Sequence, residues 1–119
     1  MAITPVELLL TVSEPTRLRV INALAAAPLF VSDLQAILDL PQPTVSRHLA
    51  VLREADVVRD TPVGQYVLYR LRRDNTSAGR LLRAVLDAIH VDAALKTERT
   101  RAIERSRTHT RHRLAAATS

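Results

Sequence analysis

The sequence predicts a mainly α-helical fold that carries one small β-hairpin, with its elements in the order α-α-α-α-β-β-α. Apolar residues recur at helical spacing through the first half of the chain, the pattern becomes extended after Asp56, and helical spacing returns from Thr76. The chain has 119 residues, of which 47% are hydrophobic, and this suits one domain with a compact core. We therefore expect a single domain over residues 1–113 and a flexible tail over residues 114–119.

Polar residues and prolines mark the starts of the first two predicted helices. Thr4 is placed to cap a short helix that begins at Pro5, and Ser13 and Glu14 precede Pro15 at the start of the next helix. A side-chain oxygen before a helix accepts a hydrogen bond from a free backbone amide, and proline is tolerated in the first turn. Pro28 ends the second helix.

The third and fourth predicted helices are joined by a short link, as in a helix-turn-helix. The third begins at Ser32 and Asp33, and we expect Pro41-Gln42-Pro43 to form a tight turn. Along the fourth helix one face is apolar, while polar side chains crowd the first two turns, which is typical of a helix that reads bases in the major groove. An ordinary amphipathic surface helix is the alternative interpretation. The candidate DNA contacts on this helix are Gln42, Thr44, Ser46, Arg47 and His48.

A β-hairpin follows the fourth helix directly. Val57-Val58 and residues 66–71 read as strands, and Thr61-Pro62-Val63-Gly64-Gln65 reads as the turn between them. A hairpin in this position is the wing of a winged helix-turn-helix. Arg59 and Arg70 are candidate phosphate contacts, with solvated strand charges as the alternative.

The last predicted element is one long helix from Thr76 to about Arg113. Leu82, Val85, Leu86 and Ile89 form an apolar stripe at i, i+3, i+4 and i+7. We expect this stripe to be covered by a second copy of the chain, so that the first and last helices form a homodimer. A dimer also places two recognition helices about one turn of DNA apart.

The formal net charge of +5 is concentrated near the C-terminus. Residues 1–95 hold ten arginines and ten acidic residues, whereas residues 96–113 hold seven cations and two acids. A basic segment suits nucleic acid or an acidic partner, because phosphate contacts release counterions. A solvated helix end is the alternative.

Composition excludes several classes of protein. The chain has no cysteine, which excludes disulfides and thiolate sites, and its two glycines do not form a glycine-rich phosphate loop. No apolar run approaches the roughly 18 residues of a membrane span, so we expect a soluble, cytoplasmic protein with no membrane partner. No nucleophile, base and oxyanion donors are arranged together, and we expect no enzymatic activity.

The chain resembles the ArsR-SmtB family of bacterial metal-responsive winged-helix repressors. The resemblance covers about residues 14–71, and it depends most on Gln42-Pro43-Thr44-Val45-Ser46-Arg47-His48-Leu49. It implies a homodimeric, sequence-specific transcriptional regulator that binds double-stranded DNA at an inverted repeat. Asp56 replaces the family's usual glycine after the recognition helix, and the wing tip lacks the arginine often found before its glycine.

The resemblance also implies a metal as the signal, with altered ligands. Phe30 and Ser32 occupy the positions at which many members carry metal-binding cysteines, so a borderline metal such as nickel or zinc is expected instead. His90-Val91-Asp92 has the family's ligand types in reverse order, and the next ligand position falls on Ile103. Control by a non-metal ligand or by a partner protein is the alternative. The candidate metal ligands are Asp87, His90, Asp92 and Glu98, with His109 and His112 as the second choice.

Overall fold

The computed structural model describes residues 3–110, which form six α-helices and a three-stranded antiparallel sheet. The helices are α1 (Pro5–Val12), α2 (Pro15–Ala26), α3 (Val31–Leu38), α4 (Gln42–Glu54), α5 (Ser77–Ile89) and α6 (Ala93–Arg105), and a π-helical segment (Ser106–Thr110) follows α6. The strands are β1 (Leu29–Phe30), β2 (Val58–Val63) and β3 (Tyr66–Leu71), in the spatial order β1-β3-β2. The predicted fold class is confirmed, and the sheet gains the short strand β1.

α1 begins at the predicted cap, Thr4, and α2 begins at Pro15 with Glu14 as its cap. Thr4 Oγ1 accepts a hydrogen bond from Glu7 N at 3.1 Å, and Glu7 Oε2 accepts one from Thr4 N at 3.0 Å. Glu14 caps α2 by accepting a hydrogen bond from Arg17 N at 2.8 Å, and Pro15 occupies the first helical position. These contacts satisfy amides that have no partner inside the helix.

The turn of the helix-turn-helix is Asp39-Leu40-Pro41, and the predicted turn at Pro41-Gln42-Pro43 is wrong by two residues. Asp39 ends α3 in the left-handed backbone region, with φ at 55°. Gln42 and Pro43 belong to the first turn of α4, where a missing amide costs nothing because it would have no intrahelical partner. Gln42 therefore belongs to α4 itself.

The hairpin is longer than predicted. β2 continues through Thr61, Pro62 and Val63, and Val63 pairs with Tyr66, so the turn is only Gly64-Gln65. Pro62 is tolerated because β2 is an edge strand and needs no amide on its outer side. Gly64 supplies the positive φ of 61° that this tight turn requires.

The predicted long helix from Thr76 to Arg113 is wrong, because two helices occupy this segment. α5 ends at Ile89, and Asp92 starts α6 by accepting a hydrogen bond from Leu95 N at 2.9 Å. This break allows α6 to fold back against α2 and α3, which a straight helix could not do. The expected helix end at Arg113 and the expected tail over residues 114–119 lie outside the described residues.

The contact between α2 and α6 is polar and specific. Arg19 donates three hydrogen bonds to the Glu98 carboxylate, at 2.6, 3.1 and 3.2 Å. The buried Asn22 donates to Leu95 O at 2.9 Å and accepts from Arg99 Nη1 at 2.8 Å. Every buried polar group of this contact that we describe therefore has a partner, as a stable polar interface requires.

The contact between α3 and α6 also uses cations of the basic segment. Arg101 donates to Ala36 O at 3.0 Å and to Ile37 O at 3.2 Å, which neutralises the negative C-terminal end of α3. Arg105 donates at 3.2 Å to Asp33, whose side chain is fully buried. These arginines are thus engaged inside the chain.

The hydrophobic core lies between the first four helices and the sheet. Its largest fully buried side chains come from α1, α2, α3, α4 and β1, and Leu82 of α5 adds to it from the outside. Phe30 is the largest of these side chains, and leucine, isoleucine, valine and alanine fill the rest of the core that the structure describes. α4 is held firmly by this packing, which fixes the direction of its opposite face.

Candidate DNA interface

α4 has a buried face and an outward polar face, as the sequence predicts. Val45, Leu49 and Leu52 are each 0% exposed and anchor the helix in the core. Asp56 follows the helix with φ at 58°, which confirms that an aspartate serves at this left-handed position. The helix therefore presents its remaining side chains in a fixed direction.

Four of the five predicted contacts on α4 remain accessible near its N-terminal end. Gln42 and Arg47 are exposed, and Thr44 and Ser46 are half-buried. Gln42 Nε2 donates a hydrogen bond at 2.6 Å to Ser46 Oγ, which lies one turn further along α4. This bond orients the side-chain amide of Gln42. Among the described residues, the Arg47 side chain makes no hydrogen bond or ion pair, so its five donors are free to bind an external acceptor.

His48 does not belong to this surface. It is 8% exposed, and its Nδ1 lies 3.7 Å from Glu14 Oε2 at the start of α2. Burial lowers the pKa of His48 below its ordinary value of 6.5, and the cations Arg17 and Arg47 act in the same direction, while Glu14 opposes them. A DNA contact by His48 is therefore not supported by its placement, and the residue instead joins α4 to α2.

The spacing of α4 already contains the signal that places His48 inside. Positions 45, 48, 49 and 52 follow i, i+3, i+4 and i+7, which is the apolar face of a helix. The polar character of histidine outweighed this periodicity in the prediction. At 3.7 Å the Glu14 carboxylate is too far away to accept a hydrogen bond from His48 Nδ1, which has no hydrogen-bond partner among the described residues.

Arg59 and Arg70 lie on the wing, apart from the polar face of α4. They are directly opposite each other in the register of β2 and β3, so their side chains share one face of the hairpin. Arg53 of α4 contacts Asp60 at 3.3 Å, so α4 lies beside the face of the hairpin that carries Asp60. Arg59 is on the other face, because successive residues of a strand point to opposite faces. Arg59 and Arg70 therefore point away from α4, and their role as phosphate contacts stays a prediction.

The four first-choice metal ligands are not brought together in one chain. Glu98 is held by Arg19, and Asp92 caps α6. Only Asp87 and His90 line a common cavity. Among residues 3–110, no group of three or more His, Cys, Asp or Glu side chains is arranged to hold a metal ion. The second-choice pair, His109 and His112, lies outside the side chains that the structure describes.

None of the helices between residues 3 and 110 is both long enough and apolar enough to cross a bilayer.

Comparison with known proteins follows the same elements. The sequence model of "Bacterial regulatory protein, arsR family" matches residues 14–60, from the cap of α2 to the start of the wing. The crystal structure of the transcriptional repressor BigR from Xylella fastidiosa superimposes with a TM-score of 0.62 at 30% identity, over 72% of this chain and 83% of that one. The chain belongs to the ArsR family.

Two curated relatives of this ArsR-family chain are repressors by name. The biofilm growth-associated repressor of Agrobacterium fabrum strain C58 is 41% identical over 66% of this chain and 65% of its own length. The arsenical resistance operon repressor of Escherichia coli strain K12 is 41% identical over 56% of this chain and 58% of its own length. The chain thus spans less than two thirds of each. The expectation that this ArsR-family chain is not an enzyme agrees with these relatives.

Proposed function

We propose that the chain is a sequence-specific transcriptional repressor that reads double-stranded DNA with α4. The observation that carries the proposal is the outward face of α4, where the exposed side chains of Gln42 and Arg47 project from a helix that is fixed by a fully buried opposite face. Glutamine recognises adenine and arginine recognises guanine through paired hydrogen bonds in the major groove. Named relatives that repress transcription support the same function.

Base reading by α4 is tested by changing one of its side chains and measuring the affinity for DNA. Arg47→Ala should weaken binding to a DNA duplex from the protein's own promoter region by about 5- to 150-fold, since a bidentate base contact is worth about 1–3 kcal/mol. Fluorescence anisotropy at fixed salt measures the change. Arg80→Ala on α5 removes the same charge away from α4 and should have less than a twofold effect. Equal losses in the two variants would mean that only the general charge matters.

We also propose that the working unit is a homodimer formed through α1 and α5. α1 exposes Val6, Leu9 and Leu10, at 64%, 44% and 67% of their surfaces, and α1 packs beside α5. α5 is strongly amphipathic, and Leu81 and Val85 are only partly covered. A contiguous apolar surface of this kind is typical of an interface, and a second copy covers it by two-fold symmetry.

The dimer interface is tested by adding a charge to it. Leu10→Glu should shift the chain toward the monomer, because each copy would bury an unpaired carboxylate in the interface. Sedimentation velocity over a range of protein concentrations measures the shift. Ile103→Glu on α6 is the matched control, as Ile103 is also an exposed apolar residue at 38%. A monomeric wild-type chain at every concentration would contradict the proposal.

The signal that controls repression is a separate question. Nickel or zinc would have to use Asp87 and His90, because Arg19 and the α6 cap occupy the other two candidate carboxylates. Two ligands are fewer than the four that zinc takes in a stable site. The geometry within one chain therefore favours the other candidate, control by a non-metal ligand or a partner protein.

Calorimetry separates these two forms of control. Nickel and zinc are titrated into tag-free protein, and a dissociation constant tighter than about 10 μM that is lost in His90→Ala would support metal control. Weaker binding, or binding that His90→Ala leaves unchanged, would support a non-metal signal.

A further inference from the structure

We propose that the cavity between α2, α5 and α6 binds a small organic anion, a carboxylate with a compact apolar body. The inference extends the proposed function by naming a ligand class. Its test uses no DNA, so the two can fail independently. The cavity has a volume of about 360 Å³, which lies within the usual range for small-molecule sites. α4 does not line it, so a ligand here would leave the outward face of α4 accessible.

The lining of the cavity is rich in cations. Four arginines contribute to it, and Asp87 is the one carboxylate. Arg72 is already paired, since its Nε lies 2.7 Å from Asp74 Oδ2. The hydroxyl of Thr76 and the guanidinium of Arg72 together lower the pKa of Asp74 to about 2, so this pair stays charged near neutral pH. Arg72 therefore contributes little to the net field of the cavity.

The other three arginines have no carboxylate partner among the described residues. Arg73 donates to Ala25 O at 2.7 Å, and Arg99 donates to Asn22 Oδ1 and to His90 O, both at 2.8 Å. These partners are neutral, so the positive charges are not cancelled. Arg83 has no recorded hydrogen bond or ion pair to a described residue. Three cations facing one carboxylate favour an anion, and they oppose a metal ion at Asp87 and His90.

The apolar part of the lining determines the rest of the ligand. Ala25 from α2, Leu71 from β3, and Leu82 and Leu86 from α5 contribute to the same cavity. A free inorganic anion would leave these side chains in contact with water. A carboxylate attached to a small apolar body would bind the guanidinium groups at one end and cover the leucines at the other.

The test uses benzoate as the probe and the full chain labelled with ¹⁵N. Benzoate should cause saturable amide shifts at Ala25, Gly79 and Leu82, with a dissociation constant of about 1 mM or below. Arg83→Gln should weaken benzoate by about tenfold, because it removes a charge-assisted contact. Arg80→Gln is the matched control, since Arg80 lies one turn earlier on α5 and does not line the cavity.

Four outcomes would overturn the proposal. The first two are that benzoate causes no saturable shift, or that its shifts map to α4 and the wing instead of the cavity. The third is that benzyl alcohol, the neutral analogue, binds as tightly as benzoate, which would leave no role for the cations. The fourth is that Arg80→Gln weakens benzoate as much as Arg83→Gln does, which would reduce the effect to overall charge.

Discussion

The ion pair between Arg19 and Glu98 provides a quantitative test of how α6 packs. The perturbation is a double-mutant cycle that consists of the wild-type chain, Arg19→Ala, Glu98→Ala and the combined variant. Arg19→Ala also removes the hydrogen bond from Arg19 to Leu38 O. This loss is the same whether or not Glu98 is present, so it cancels and the cycle isolates the coupling between the two side chains. A coupling free energy exists only if α6 lies against α2.

The expected magnitude follows from the geometry of the pair. Three N···O contacts between 2.6 and 3.2 Å join the groups, and the Glu98 side chain is only 13% exposed, whereas that of Arg19 is 36% exposed. Exposed ion pairs contribute about 0.2–1 kcal/mol, and hydrogen bonds to charged groups contribute about 1.5–3 kcal/mol. We expect a coupling of about 1–2 kcal/mol, between these ranges.

Urea unfolding of the four proteins measures the coupling. Protein concentration must be the same throughout, because dimerisation is linked to stability. The reference is the same cycle on Arg53 and Asp60, a single contact of 3.3 Å between side chains that are 52% and 34% exposed. That pair should couple by less than about 0.5 kcal/mol. A coupling for Arg19 and Glu98 no larger than this reference would refute the packing of α6 on α2.

Two further predictions concern stability. Burial lowers the pKa of His48 from 6.5 in the folded chain, so the unfolded chain binds a proton more readily than the native state; the free energy of unfolding should therefore fall as pH is lowered through 6.5. His48→Gln should flatten this dependence in urea titrations between pH 7.5 and 5.5, and an equally steep profile in the variant would contradict the assignment. Gly79→Ala should destabilise the chain by about 1–3 kcal/mol, because the added Cβ would overlap the Asp74 carbonyl and force the backbone to move. An unchanged urea midpoint in Gly79→Ala would show that this approach of the loop to α5 is not rigid.

The sequence predicted those parts of the fold that local patterns determine. The cap at Thr4 depends on neighbouring residues, and the periodicity of Val45, Leu49 and Leu52 identifies the buried face of α4. Both features are local, so a single sequence is enough to recognise them. The strand β1 escaped prediction because two residues are too few to form a readable pattern.

The C-terminal half shows where local patterns end. No glycine or proline separates Ile89 from Ala93, so propensity alone continues the helix across the break. The break is stabilised by partners far away in the sequence, since Glu98 binds Arg19 and Arg99 binds Asn22. The large separation in the sequence also explains why Glu98 was predicted to bind a metal rather than Arg19. A carboxylate and the arginine that binds it, 79 positions apart, show no mutual signal in one sequence.

The central claim is that α4 reads a DNA sequence, and one titration tests it most directly. Fluorescence anisotropy compares a labelled duplex from the protein's own promoter region with a scrambled duplex of the same length and base composition, at the same near-physiological salt concentration. If the outward face of α4 reads bases, the promoter duplex should bind at least about 10³-fold more tightly than the scrambled one. Equal affinities, falling together as salt is raised, would show binding through phosphates alone and would contradict the claim.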